Sequence, residues 1–291
     1  MFEHFDLLMV ETGEATIQAR RGGGGPPILL LHGFPQTHMM WHKVAPRLAR
    51  HFTVVAADLR GYGGSSKPRT TADHAPYSKR AMARDMVVLM QNLGFHRFSV
   101  AGHDRGGRCA YRLALDSPDR VHRLAVLDII PTSEVFRRAD MAFALGFWPW
   151  SLLAQPHPLP ECLIGANPQM VVDYALDTWS GNPGAFPDEV RGEYVRAFSN
   201  PETIHAICEE YRAAATLDYQ HDEADRGRNR ITCPLLALWS RRGPLETWYD
   251  TLAIWKDWAE DARGRSIDCG HFLAEEAADE TYTELRAFLG R

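Results

Sequence analysis

Four short stretches of the chain combine residue types that could make and break a bond to carbon. Gly102-His103-Asp104-Arg105-Gly106-Gly107 directly follows the strand-like run Phe98–Ala101 and opens a helical stretch. That is the small-x-nucleophile-x-small form of a nucleophile elbow, with aspartate at its centre in place of serine. Glycines flank such a bend because neighbouring backbone comes too close for larger side chains. A glycine-rich turn with an aspartate capping a helix would share part of this pattern. His32-Gly33-Phe34-Pro35 follows the run Ile28–Leu31, where the Phe34 N–H is placed to face a reacting carbonyl as half of an oxyanion hole. His271, after Ser266–Cys269, stands where a base would sit at the end of a last strand.

An acid must hold that imidazole in one tautomer, and Asp128, near the end of Leu124–Ile130, is placed for it. Glu246 is the rival, but the strand-like run before it ends in Ser240-Arg241-Arg242-Gly243, with no Asp at its tip. An aspartate is ionised at neutral pH, so it can attack an sp3 carbon without help and expel a leaving group. The resulting alkyl ester is then hydrolysed by water that His271 activates, with N–H groups of Phe34 and Arg105 on the oxyanion. Ordinary ester or amide cleavage would force a carboxylate through a reactive anhydride, which disfavours lipase and peptidase chemistry.

Arg105 and Arg108 are three apart and share a helix face in the first turn after Asp104. Cations there oppose the helix dipole at a cost of about some tenths of a kcal/mol each. The placement makes sense if an anion sits between them, or if Asp104 is the counter-charge. A salt bridge from Arg108 to a surface acid is the alternative.

These residues need a parallel sheet to bring them together. The first half alternates apolar runs (Pro27–Leu31, Phe52–Leu59, Phe98–Ala101, Leu124–Ile130) with helical stretches such as Met82, Met86, Leu89, Met90 and Leu93, the rhythm of βαβ units. From Ser133 to His221 the pattern turns aromatic, proline-rich and helical, which predicts an inserted cap over 133–221 within a core of 1–132 and 222–291. Strand rhythm resumes with Pro234–Trp239 and Ser266–Asp268.

Composition fits that plan. The 291 residues are 45% hydrophobic and 24% charged, enough to bury a large core without staples. A net charge of -5 offers no attraction to nucleic acid or anionic membrane, and nowhere does an apolar run approach the ~20 residues of a membrane span. Five cysteines without a CxxC pair read as reduced thiols of a cytoplasmic protein. No redox, zinc or other cofactor chemistry is called for.

Taken together, His32-Gly33-Phe34-Pro35, Gly102 to Arg108, Asp128 and His271 resemble the α/β-hydrolase superfamily, specifically its haloacetate (fluoroacetate) dehalogenases. The resemblance spans nearly the whole chain. It implies a mostly parallel eight-stranded sheet flanked by helices, with Asp104, Asp128 and His271 as nucleophile, acid and base, and with Arg105 and Arg108 on the carboxylate of a small haloacid. It also implies halide stabilisation by Trp150 and Tyr211, and a homodimer. One position departs: a histidine precedes that tryptophan in fluoroacetate-cleaving members, whereas this chain has Pro149. Losing a ring donor predicts chloroacetate or bromoacetate as better substrates than fluoroacetate, unless Trp148 or His157 compensates. An epoxide hydrolase shares the Asp-His core and needs two cap tyrosines, for which Tyr174, Tyr194 and Tyr211 are available. A non-catalytic binding protein on the same fold is the remaining alternative.

Overall fold

The computed structural model describes residues 1–290. Eight strands form one sheet: β1 (Asp6–Glu11), β2 (Thr16–Gly23), β3 (Pro27–Leu31), β4 (Thr53–Ala57), β5 (Phe98–His103), β6 (Val121–Leu127), β7 (Leu235–Ser240) and β8 (Ala262–Ile267). Their order is β1-β2-β4-β3-β5-β6-β7-β8. β2 runs antiparallel to β1 and β4, and every pairing from β4 to β8 is parallel.

Central parallel strands are covered on both faces, so they read as unbroken apolar runs. Every residue of β4 and β5 is buried, as are Ile28 to Leu31 of β3. Burying a leucine of this kind is worth about 1.5–3 kcal/mol, and truncating Leu30 to alanine would cost about 2–5 kcal/mol. The edges differ. β1 and β8 alternate exposed with covered residues. That is why the run Ser266–Asp268 marks only the end of β8, whose Arg263 and Arg265 face solvent.

Chain order reverses around β3: β4 pairs on one side of it and β5 on the other. Such a switch opens a crevice beyond the carboxyl ends of the strands. Leu31 lies opposite Gly102 and His103 opposite Leu127, so residues just after β3, β5 and β6 emerge side by side. The helix Asp104–Asp116 packs on Lys79–Asn92, which Ser78 caps by accepting from the Ala81 N–H and which buries Met82, Met86, Leu89 and Met90.

Between β6 and β7, which are neighbours in the sheet, the described chain makes only helices, from Thr132–Arg137 to Tyr219–Asp225. No helix among the described residues is long and apolar enough to cross a membrane.

Candidate active site

Asp104 sits at the junction of β5 and its helix with φ +42°, and Asp128, just after β6, has φ +53°. Left-handed backbone is uncommon for a residue with a side chain and marks a position that its surroundings hold in place. At Asp104 the surroundings are glycines. A Cβ on Gly33 would lie 2.7 Å from the Asp104 Cβ, and one on Gly106 would lie 2.5 Å from the His32 carbonyl oxygen. The loop after β3 and the elbow after β5 therefore touch backbone to backbone.

That contact delivers the Phe34 N–H to Asp104 Oδ2 at 3.0 Å. His32 braces the loop: its Nδ1 lies 3.0 Å from the Gly33 carbonyl oxygen, and its Nε2 accepts from the Leu59 N–H at 3.1 Å. Burial lowers the pKa of this imidazole, which is therefore neutral and structural. Among the described residues the Arg105 amide makes no hydrogen bond to Asp104, so of the two expected oxyanion donors only Phe34 is already engaged.

His271 follows β8, anchored by its own N–H to the Trp179 carbonyl at 2.9 Å. Its Nδ1 lies 2.6 Å from Asp128 Oδ2, while Asp128 Oδ1 accepts from the Ser240 N–H at 2.8 Å. An acceptor on Nδ1 leaves Nε2 as the basic nitrogen. Burial would depress this imidazole, but the bond and charge of Asp128, with Asp104 beyond, raise its pKa above the ordinary value. His103 packs on it with ring centroids 4.5 Å apart and meets the His271 carbonyl through Nε2 at 2.8 Å. Burial and the His271 charge push His103 down to about 3, so it stays neutral. Glu246 lies at the surface against Trp239 and Ser266, whereas Asp128 is the carboxylate bonded to His271.

Burial would also raise the Asp104 carboxyl. The facing charge of His271, then of Arg105 and Arg108, outweighs it and holds the group at about 2. Both arginines are buried. Arg108 has no carboxylate partner among the described residues. It donates to the Ile130 carbonyl at 2.9 Å and to Thr132 Oγ1 at 3.3 Å, and its guanidinium lies 4.4 Å from the Trp150 ring centroid. Arg105 lies over Tyr211 at 4.0 Å and donates from Nε to Glu210 at 2.7 Å, while its Nη1 and Nη2 have no partner among the described residues. Glu210 is a counter-charge that sequence reasoning passed over.

A cavity of about 30 Å³ is lined by Asp104, Arg108, Asp128 and His271 on one side and by Pro149, Trp150, Trp179 and Tyr211 on the other; Phe34 and Arg105 do not line it, and Arg105 packs against the Trp150 and Tyr211 rings that do. Only a molecule of a few heavy atoms fits without rearrangement. Neither the Trp150 indole N–H nor the Tyr211 hydroxyl has a hydrogen-bond partner among the described residues, so both donors are free at the cavity wall. Tyr249 and Trp179, which the sequence reading did not single out, also line it.

The proposed stand-ins for a ring donor at position 149 lie elsewhere. Trp148 faces a neighbouring cavity of about 350 Å³, and the exposed His157 ring pairs with Glu161. Tyr174 is exposed, and Tyr194 donates to Glu275 at 2.8 Å, so neither reaches Asp104. His157, Glu161 and His205 form a cluster with metal-ligand chemistry, but Arg212 already neutralises Glu161 and none of them lines the site.

A family model described as alpha/beta hydrolase fold matches residues 26–278. A fluoroacetate dehalogenase from Burkholderia sp. is 46% identical over 99% of this chain and 95% of its own length. A soluble epoxide hydrolase from Corynebacterium sp. (strain C12) is 35% identical over 87% of this chain and 86% of its own. Among solved structures, a candidate α/β hydrolase from Nostoc sp. PCC 7120 superposes with a TM-score of 0.98 at 52% identity, covering 99% of both chains. With its family model, its full-length relatives and its sheet in agreement, the chain belongs to the α/β-hydrolase family.

Proposed function

We propose that this protein hydrolyses the carbon–halogen bond of a small haloacetate. An Asp104 carboxylate oxygen attacks the carbon bearing the halogen. The C–X bond breaks with its electron pair leaving on the halide, which accepts from the Trp150 N–H and the Tyr211 O–H. Arg105 and Arg108 hold the substrate carboxylate. His271 Nε2 then takes a proton from water, and the hydroxide adds to the Asp104 ester carbonyl, whose oxyanion the Phe34 N–H stabilises. Collapse releases glycolate and returns Asp104 with one oxygen from water. The imidazolium, steadied by Asp128, loses its proton to solvent. The residues 133–221 act as the cap that supplies the halide side, and no cofactor or metal enters.

The observation that carries this reading is the pairing of an ionised, buried carboxylate with two buried guanidiniums, one of which has no salt-bridge partner among the described residues. Asp104 offsets part of that charge, and a substrate carboxylate supplies the further anion that a neutral substrate would not. The epoxide-hydrolase reading keeps one support, since Tyr211 and Tyr249 both line the cavity. Halide release from chloro-, bromo- and fluoroacetate, measured beside hydrolysis of styrene oxide, decides between them. Chloroacetate and bromoacetate turnover ahead of fluoroacetate, with styrene oxide inert, is expected; diol formation without halide release would reverse the assignment. The homodimer belongs to the same reading, supported by Met141, Leu145, Leu163 and Met170 exposed on the helical segment. Light scattering on the purified chain checks it.

A further inference from the structure

Arg105 is wholly buried, and so is Glu210, which reaches it from the helix Pro201–Ala213. The Glu210 carboxylate is shared three ways. Arg105 donates to it through Nε, Lys79 through its ammonium, and Tyr62 through its hydroxyl. Lys79 stands at the start of its helix, where its backbone N–H donates to Asp218 at 2.8 Å. Burial pushes the Asp218 carboxyl up to about 6 and the Lys79 ammonium down from its ordinary value. Glu210 is the carboxylate that pairs with Arg105, and it shares that oxygen with Lys79.

The contacts also fix direction. Glu210 holds the guanidinium by its Nε edge, and the ring of the next residue, Tyr211, covers its face at 4.0 Å. Among the described residues Nη1 and Nη2 have no partner, and both are buried; Arg105 does not itself line the cavity but packs on Tyr211 and, at 5.2 Å, on Trp150, which do. A planar fork fixed on two sides presents its third as a two-pronged donor, which matches a carboxylate. Two buried, unpaired donors are costly unless a ligand completes them.

We propose that Glu210 is the positioning residue of the substrate-carboxylate site: together with Lys79 and Tyr62 it aims the free end of Arg105 at the carboxylate of the bound acid. This deepens the haloacetate reading and rests on it for the identity of the ligand. Glu210 itself touches no reacting atom. Because it precedes Tyr211 on one helix, a single turn sets both the carboxylate clamp and one halide donor, and it does so through an ion pair that crosses from the helical segment to the sheet-bearing part.

The test uses acetate, a carboxylate with no leaving group, and bromide, read by quenching of tryptophan fluorescence, so that it is independent of turnover. A hydrogen bond to a charged group is worth about 1.5–3 kcal/mol, so Glu210→Gln should weaken acetate binding about tenfold or more. Bromide affinity should stay within about twofold, and in turnover assays KM for chloroacetate should rise far more than kcat falls. Equal losses of acetate and bromide affinity, or no change in either, would overturn the proposal, because a merely structural role moves both together. Should Glu210→Gln fail to fold, Tyr62→Phe removes only one hydroxyl from the carboxylate. It should weaken acetate alone, by about threefold, and unchanged acetate affinity there counts against the proposal. If the wild-type protein binds acetate in this manner yet releases no halide from any haloacetate, the catalytic reading fails while the positioning role stands.

Discussion

The two walls of the cavity are built by different means. On the sheet side, Asp104, Asp128 and His271 each follow a parallel strand, as does Phe34, whose N–H meets Asp104 from behind the wall, and backbone contacts fix them: the Gly33 approach to Asp104, the Ser240 amide on Asp128, the Trp179 carbonyl on the His271 N–H. On the helical side, Trp150 belongs to the five-residue helix Trp148–Leu152 and is held by rings, with Phe136 at 5.1 Å, Phe143 at 6.0 Å and Tyr211 at 6.0 Å. Backbone registration tolerates almost no change, whereas edge-to-face ring contacts can repack for about 0.5–1.5 kcal/mol each. The sheet side should therefore decide whether the reaction occurs, and the helical side which leaving group is preferred. Arg105 crosses this division, being rooted in the elbow but held by Glu210 from the helical side.

The contrast breaks if the nucleophile is dispensable. Asp104→Asn keeps shape and the Phe34 contact but removes the attacking charge, and halide release should fall by at least about 10³-fold. His271→Gln should instead release one halide per chain and stop, leaving an ester on Asp104 that intact-protein mass spectrometry detects. Undiminished turnover by Asp104→Asn would show that the attack comes from elsewhere, and multiple turnover by His271→Gln would show that another group activates the water.

Acid sensitivity offers a second way to break it. In the proposed cycle His271 must be neutral to take a proton from water, and its pKa is raised above the ordinary histidine value near 6.5. Activity should decline as pH falls through that raised value, with a slope of one proton. Asp104, held at about 2, stays ionised throughout and contributes nothing to this limb. A profile of kcat against pH with its midpoint near the ordinary carboxylate range would assign the titration to an acid and weaken the role of His271.

What could be read in the residues follows the same division. Strands covered on both faces are legible as apolar runs, and the residues just past them, including Asp104, Asp128 and His271, inherit that clarity. Edge strands are not. β1 reads Asp6-Leu7-Leu8-Met9-Val10-Glu11, and β8 opens on Ala262-Arg263-Gly264-Arg265, because an exposed edge needs no continuous apolar face. On the helical side Trp150 and Tyr211 came only through resemblance, since aromatic residues there look like packing. Glu210 was hidden for a clearer reason: one acid in Glu209-Glu210-Tyr211-Arg212 reads as a solvated helix face, and its partner Arg105 lies 105 positions away in the chain. Trp179 and Tyr249 carry no local signal either.

The helical wall can be sharpened by deleting one donor. Trp150→Phe removes the indole N–H, and a hydrogen bond to an ionised acceptor is worth about 1.5–3 kcal/mol, so chloroacetate turnover should fall about 10- to 150-fold. Bromide, the better leaving group, needs less help, so bromoacetate should lose less. Equal losses on both substrates would mean that Trp150 shapes the cavity without touching the halide.

The smallest expected effect is the most particular to this chain. Pro149 lines the cavity beside Trp150, at the position where a histidine stands in fluoroacetate-cleaving members of the family it resembles. Proline brings neither a ring donor nor a free backbone N–H. Fluoride holds its charge in a small volume and gains most from each added donor, so Pro149→His should raise fluoroacetate turnover relative to chloroacetate by about tenfold, one charge-assisted hydrogen bond at the lower end of its range. Absolute rates on chloroacetate and bromoacetate should change much less. Parallel rate measurements on the three acids read the ratio directly, and an unchanged ratio would move leaving-group selection off the helical wall and back to the elbow.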